Sequence, residues 1–196
     1  MCRSYAIPPF NLPLMEKSIH PANKLDIVTD ESGNKVVLLP EILFSNKQNI
    51  NWDDVEDYLG KYVGELIEIA ETRDIIYIGN KFPDEYGGSS YTRKTKGARA
   101  KAKANAAQGI REMVEIATDK VYRENHKEKH SEDAHNGWFY YVTRFAIPLY
   151  NNEKKTGEYN VYSACLVVNH AANGKMYLYD VVGIKKEASN PLKTIK

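Results

Sequence analysis

Cysteine is scarce. Cys2 and Cys165 are the only two in 196 residues, too few for a disulfide framework or a cysteine-based metal set. No apolar run approaches the roughly eighteen residues that a membrane-spanning helix needs. The first eleven residues lack a charged start followed by an apolar stretch, so no signal peptide is expected and the cytoplasm is the expected compartment. No charge of one sign dominates. The net charge is +1, so the chain as a whole is not marked for nucleic acid or for membranes. Phenylalanine is also sparse, with 5 against 14 tyrosines. Tyrosine suits half-buried sheet faces and binding surfaces, because one end is apolar and the other hydrogen-bonds.

A hydrophobic content of 42% can fill a real core, and the length suits one domain with a short extension. Residues 1–34 carry Pro8, Pro9, Pro13 and Pro21 and read as an extended arm. Residues 35–196 read as a single α+β domain, with an acidic helical part at 35–79 and a helix plus sheet at 80–187. Within the arm, residues 30–34 (DESGN) are a turn signal, and a short strand is expected at 36–39. Val55, Leu59, Tyr62, Leu66, Ile69 and Ala70 recur at helical spacing behind Asn51 as N-cap, which predicts a helix to about Thr72. A buried strand at 75–78 and a loop at 80–90 should follow. A second, long helix is expected over 95–122, with an apolar stripe from Ala100 to Val121 that Gly109 weakens without breaking.

From Gly137 onward the pattern turns to strands. Residues 138–148, 159–168 and 175–184 are rich in aromatic and β-branched residues, and Asn173-Gly174 is a hairpin turn signal. The expected fold is therefore α+β: N-terminal helices, one long helix, then a three- to four-stranded antiparallel meander.

Charge is unevenly spread along the chain. The stretch from Glu41 to Glu85 is strongly acidic. The stretch from Tyr91 to Lys103 holds Arg93, Lys94, Lys96, Arg99, Lys101 and Lys103 and no acid. Cations at a helix start oppose the helix dipole, so local stability does not explain them. One reading is contact with nucleic-acid phosphates. The other is a solvated patch, or an ionic contact with the acidic first helix.

His126, His130 and His135 form a second cluster, with Glu128, Glu132 and Asp133 beside them. The pattern is not the HExxH of a zinc site, and no metal or cofactor is expected. General acid–base work suits it better. Histidine titrates near neutral pH, and RNA cleavage needs a base for the 2′-hydroxyl and an acid for the leaving oxygen. Arg144, Lys185 or Lys186 would then stabilise the phosphorane. The plainer alternative is three solvated loop histidines. Arg144 and Asp180 stand in otherwise apolar strands and would pair if they share a face. Tyr140, Tyr177 and Tyr179 are candidates for base stacking or for packing.

The run ENHKEKH, then GWFYYVTRFAIPL, then LVVNH, then GKMYLYDVVGIKKE resembles the large polyvalent protein-associated domain of the third type. Its most distinctive stretches are PDEYGGSSYT at 83–92 and LYD at 178–180. Such domains occur in giant proteins of phages and conjugative elements. They are similar to the Barnase–EndoU–colicin–RelE superfamily, which places a helix before a curved antiparallel sheet and cleaves RNA. The resemblance covers about residues 75–187. It implies a ribonuclease-like fold in a phage or mobile-element protein, possessing His130, His135, Arg144 and Tyr179 at the matching positions. A shared fold does not establish activity. Two functions follow as expectations: a metal-independent endoribonuclease or toxin-like effector, and a non-catalytic module, such as an anti-defence protein, that binds nucleic acid or a protein partner. A membrane partner is not expected, and the oligomeric state is open.

Overall fold

The computed structural model describes residues 24–45, 49–125, 134–187 and 191–193. The described chain opens with a hairpin of β1 (Ile27–Thr29) and β2 (Lys35–Leu38). The Asp30 carboxylate closes the turn by accepting the N–H groups of Ser32 and Asn34 at 2.9 and 2.8 Å. Gly33 supplies the positive φ of 83° that such a turn requires. Strand β1 and the turn lie inside the stretch read as an arm, β2 falls on the short strand expected at 36–39, and both strands belong to the sheet. The arm before residue 24 lies outside the described residues.

Helix α1 (Trp52–Leu59) starts after Asn51 and carries Asp53 and Asp54 in its first turn. It buries Val55 and Leu59 and then ends, well short of Thr72. One 3-10 turn, Gly60–Tyr62, follows, and Gly64 at φ 92° reverses the chain. The helical spacing at Leu66 and Ile69 is thus borrowed by a second hairpin, β3 (Leu66–Glu68) with β4 (Ile75–Tyr77).

The expected loop at 80–90 is mostly helical. Pro83 sits in the first turn of α2 (Phe82–Gly88), where its missing N–H costs nothing. Next come α3 (Ser90–Lys94), α4 (Ala98–Ala106) and α5 (Ile110–Glu115). The single long helix expected at 95–122 is therefore broken twice. Gly97 sets the start of α4 with φ 59° and ψ −133°. Gly109 closes a 3-10 turn where the side chains of Leu39 and Val37 come within 3.1 and 3.2 Å of where a Cβ would stand. A side chain there would press on Leu39 and Val37, which would have to shift by a few tenths of an ångström. Residues expected to end that helix form β5 (Thr118–Arg123).

The three-stranded meander is present as the centre of something larger. It comprises β6 (Trp138–Asn151), β7 (Lys154–His170) and β8 (Met176–Lys186), with a short β9 (Leu192–Lys193) on β7. The whole sheet has nine strands among the described residues. Its main order is β1-β2-β6-β7-β8-β4-β3, with β5 sharing β6. It is mixed: β2 runs parallel to β6 (Val37 opposite Phe145) and β4 parallel to β8 (Ile76 opposite Met176). The expectation of a three- to four-stranded antiparallel sheet is therefore wrong. Both N-terminal hairpins dock on the meander's flanks through pairings more than a hundred residues or about a hundred residues apart in sequence, which no local turn signal announces. Register shifts in β6, β7 and β8 mark bulges, which bend strands, and the sheet curls into a half-barrel.

The helices fill one face of that curve. Tyr141, Phe145, Tyr162, Leu166, Val181 and Ile184 meet Ile110, Met113 and the α4 alanines there. Alternate residues, including Trp138, Tyr140, Val167 and Tyr179, face the other way.

Candidate functional site

The two distinctive stretches, 83–92 and 178–180, meet in space. Ser89 caps α3 by accepting the N–H of Thr92 at 3.1 Å, and the Thr92 hydroxyl donates to the Tyr86 carbonyl at 2.6 Å. β4 pairs β8 only at Met176 and Tyr177. Further along that strand, the N–H of Ile184 donates to the Tyr91 hydroxyl at 2.8 Å. Under α3, the Lys103 ammonium lies 2.6 Å from Asp180 and 4.5 and 5.0 Å from the ring centres of Tyr86 and Tyr91. The Tyr86 hydroxyl donates to the Lys103 carbonyl. Burial pushes the Lys103 ammonium down and the Asp180 carboxyl up, while their mutual attraction opposes both shifts.

Lys103 is therefore no surface phosphate contact: its side chain is fully buried in an ion pair. Asp180 does not pair with Arg144. The two lie on opposite faces of the sheet, and Arg144 instead donates to Glu187 at 2.9 Å.

The other five cations behave differently. Arg93, Lys94, Lys96 and Arg99 are exposed and Lys101 is half-buried. Among the described residues none of the five makes an ion pair. The acidic helix α1 makes no ion pair with them among the described residues, although its first residue, Trp52, borders the same groove. The body of α1 packs on α2, where Glu56 lies against Gly87. Burial, together with the charges of Asp84, Asp53 and Asp57, raises the Glu56 carboxyl pKa.

Arg93, Lys96 and Lys101 line a groove of about 680 Å³ at the junction of α3 and α4. Its floor and sides include Thr92, Thr95, Gly97 and Ala98, with apolar surface from Ile50 and Trp52. α4 begins in this groove with no acid in its first turn and no side-chain cap, so its dipole adds to the positive field. The arrangement can hold phosphate-like anions.

Among the described residues, those expected to be catalytic, His135, Arg144 and Tyr179, do not converge. His126 and His130 lie outside the described residues. His135 is exposed before β6 and lines an open pocket with Tyr122, Glu124, Phe139 and His170. Arg144 lies six positions beyond Trp138 on one strand, a run of about 20 Å. That is too far for Arg144 and His135 to act on one phosphate. Tyr179 packs edge-on against Trp138, with ring centres 5.0 Å apart. Tyr140 lies beneath Arg123, and Tyr177 pairs with Tyr77. Lys185 and Lys186 are exposed at the end of β8. Among the described residues no three His, Cys, Asp or Glu side chains come together as metal ligands.

Sequence reasoning missed Trp52, Gly97 and His170. Trp52 carries one usable signal, a large aromatic among polar residues at a helix start. His170 closes a strand far from the other histidines, and only β6–β7 pairing brings it near His135. Comparison with protein-family models, curated proteins and solved structures gives no match to the chain. No helix among the described residues is long and apolar enough to cross a membrane.

Proposed function

We propose that the chain is a nucleic-acid-binding module that holds backbone phosphates at the junction of α3 and α4. One observation carries this reading: Arg93, Lys94, Lys96, Arg99 and Lys101 cluster around the end of α3 and the uncapped start of α4 with no ion-pair partner among the described residues. Such a concentration of charge is unfavourable by itself and becomes favourable against a polyanion. The resemblance to phage and mobile-element domains is compatible with that role. The test is fluorescence anisotropy with labelled RNA and DNA across a salt series. Each phosphate contact contributes roughly 0.7 to 0.9 to the slope of log K against log salt. Replacing Arg93, Lys96, Arg99 and Lys101 together by alanine should lower that slope by about 3. If the unmodified chain binds neither nucleic acid at low salt, the proposal fails.

A second reading, a metal-independent endoribonuclease, is favoured by the pocket that His135 and His170 share. Two imidazoles there would supply the base and the acid of RNA cleavage. Arg144 and Tyr179 have no part in this version. Cleavage of RNA in the presence of a chelator, abolished by either His135→Ala or His170→Ala, is the expected result. Cleavage unchanged in both variants, or absent from the parent chain, overturns it.

A further inference from the structure

We infer that the groove takes single-stranded nucleic acid, with a base stacked on the indole of Trp52. The inference rests on the phosphate-binding reading above and narrows it. Trp52 is the first residue of α1 and lines the same groove as Arg93, Lys96 and Lys101. It is half-buried and packs against the main core. Its ring enters no aromatic or cation–π pair among the described residues. Part of the indole is exposed in the groove and is open to a ligand.

Cations beside an indole in one cleft match the alternation of a nucleotide chain, phosphate then base. Stacking on an aromatic ring is available to every base in a single strand. A duplex hides the faces of its bases within its own stack and offers only edges in its grooves. The duplex would therefore use the cations and leave Trp52 without a role. Ile50 extends the apolar surface next to the indole, which a flat ring can cover and a phosphate cannot.

The experiment compares three probes of the full chain at fixed low salt: a thymidine decamer, an abasic decamer of the same charge, and a ten-base-pair duplex. The decamer should bind about tenfold tighter than its abasic counterpart. Trp52→Ala should remove that advantage and leave affinity for the abasic strand and the duplex unchanged. Trp52→Phe should keep part of it. Thermal unfolding of both variants checks that they fold, and the abasic comparison needs no variant at all. Equal binding of the thymidine and abasic decamers by the parent chain overturns the inference while leaving the phosphate-binding reading intact. Absence of binding to all three probes overturns that reading itself.

Discussion

Lys103 Nζ lies 2.6 Å from Asp180 Oδ1, and the two side chains are 0% and 4% exposed. The pair ties α4 to β8 beneath the segment that carries the groove. Asp180 also accepts the N–H of Val181 at 2.7 Å. Removing one partner strands the other charge in the core. Asp180→Asn and Lys103→Met should each cost about 3–5 kcal/mol in denaturant unfolding. Replacing both should cost clearly less than the two losses summed, because no unpaired charge remains. Strict additivity would show that the pair contributes nothing as a pair.

Tyr86 offers a narrower test of the same region. Its ring is fully buried, and burial, with the nearby Asp180 charge, pushes its hydroxyl well above the usual tyrosine range. The hydroxyl therefore stays protonated and donates to the Lys103 carbonyl. Tyr86→Phe keeps the ring and removes the donor, and should destabilise by about 1–2 kcal/mol. A variant as stable as the parent would mean that this hydrogen bond is energetically idle.

The strands of the meander were readable because their signals are local: β-branched and aromatic runs around the Asn173-Gly174 turn. The two flanking hairpins were not, because Val37 finds Phe145 and Ile76 finds Met176 only through tertiary contact. Helical spacing misled at Leu66 and Ile69, where Gly60 and Gly64 had already ended the helix. The basic run was visible as a charge pattern. Its division into one buried cation and five surface cations was not, since Lys103 and Lys101 differ only by which face of α4 they occupy. Asp180 stood out as a charge in an apolar strand, and its true partner lies 77 positions away.

Asp74 should contribute to the loss of stability in acid. Burial alone would raise its carboxyl, but hydrogen bonds from Lys120, Thr72 and Tyr141, with the Lys120 charge, outweigh that and hold it below its ordinary value of 3.8. A folded-state value below the unfolded one stabilises the fold above the unfolded value. That contribution is lost as pH falls through the folded value. At neutral pH Asp74→Asn should cost about 1–3 kcal/mol. The gap between variant and parent should shrink as pH drops below about 4. Urea unfolding at several pH values measures it, and a gap independent of pH between 7 and 3 would remove Asp74 from the account.

Gly97 and Arg99 separate backbone from charge at the groove. Gly97 holds φ 59° and ψ −133°, a region that residues with a Cβ scarcely enter, although nothing lies within 4 Å of where that Cβ would stand. The obstacle is therefore conformational, and Gly97→Ala should destabilise by about 1–3 kcal/mol. It changes no charge, so any loss of nucleic-acid affinity should leave the salt slope as it was. Arg99 is exposed and makes no ion pair among the described residues. Arg99→Ala should leave stability within about 0.5 kcal/mol of the parent and reduce the salt slope by about 0.7 to 0.9. The two variants thus shift different observables, stability in one and salt dependence in the other. A salt slope that Arg99→Ala leaves untouched would exclude that side chain from the phosphate contacts, whatever happens at Gly97.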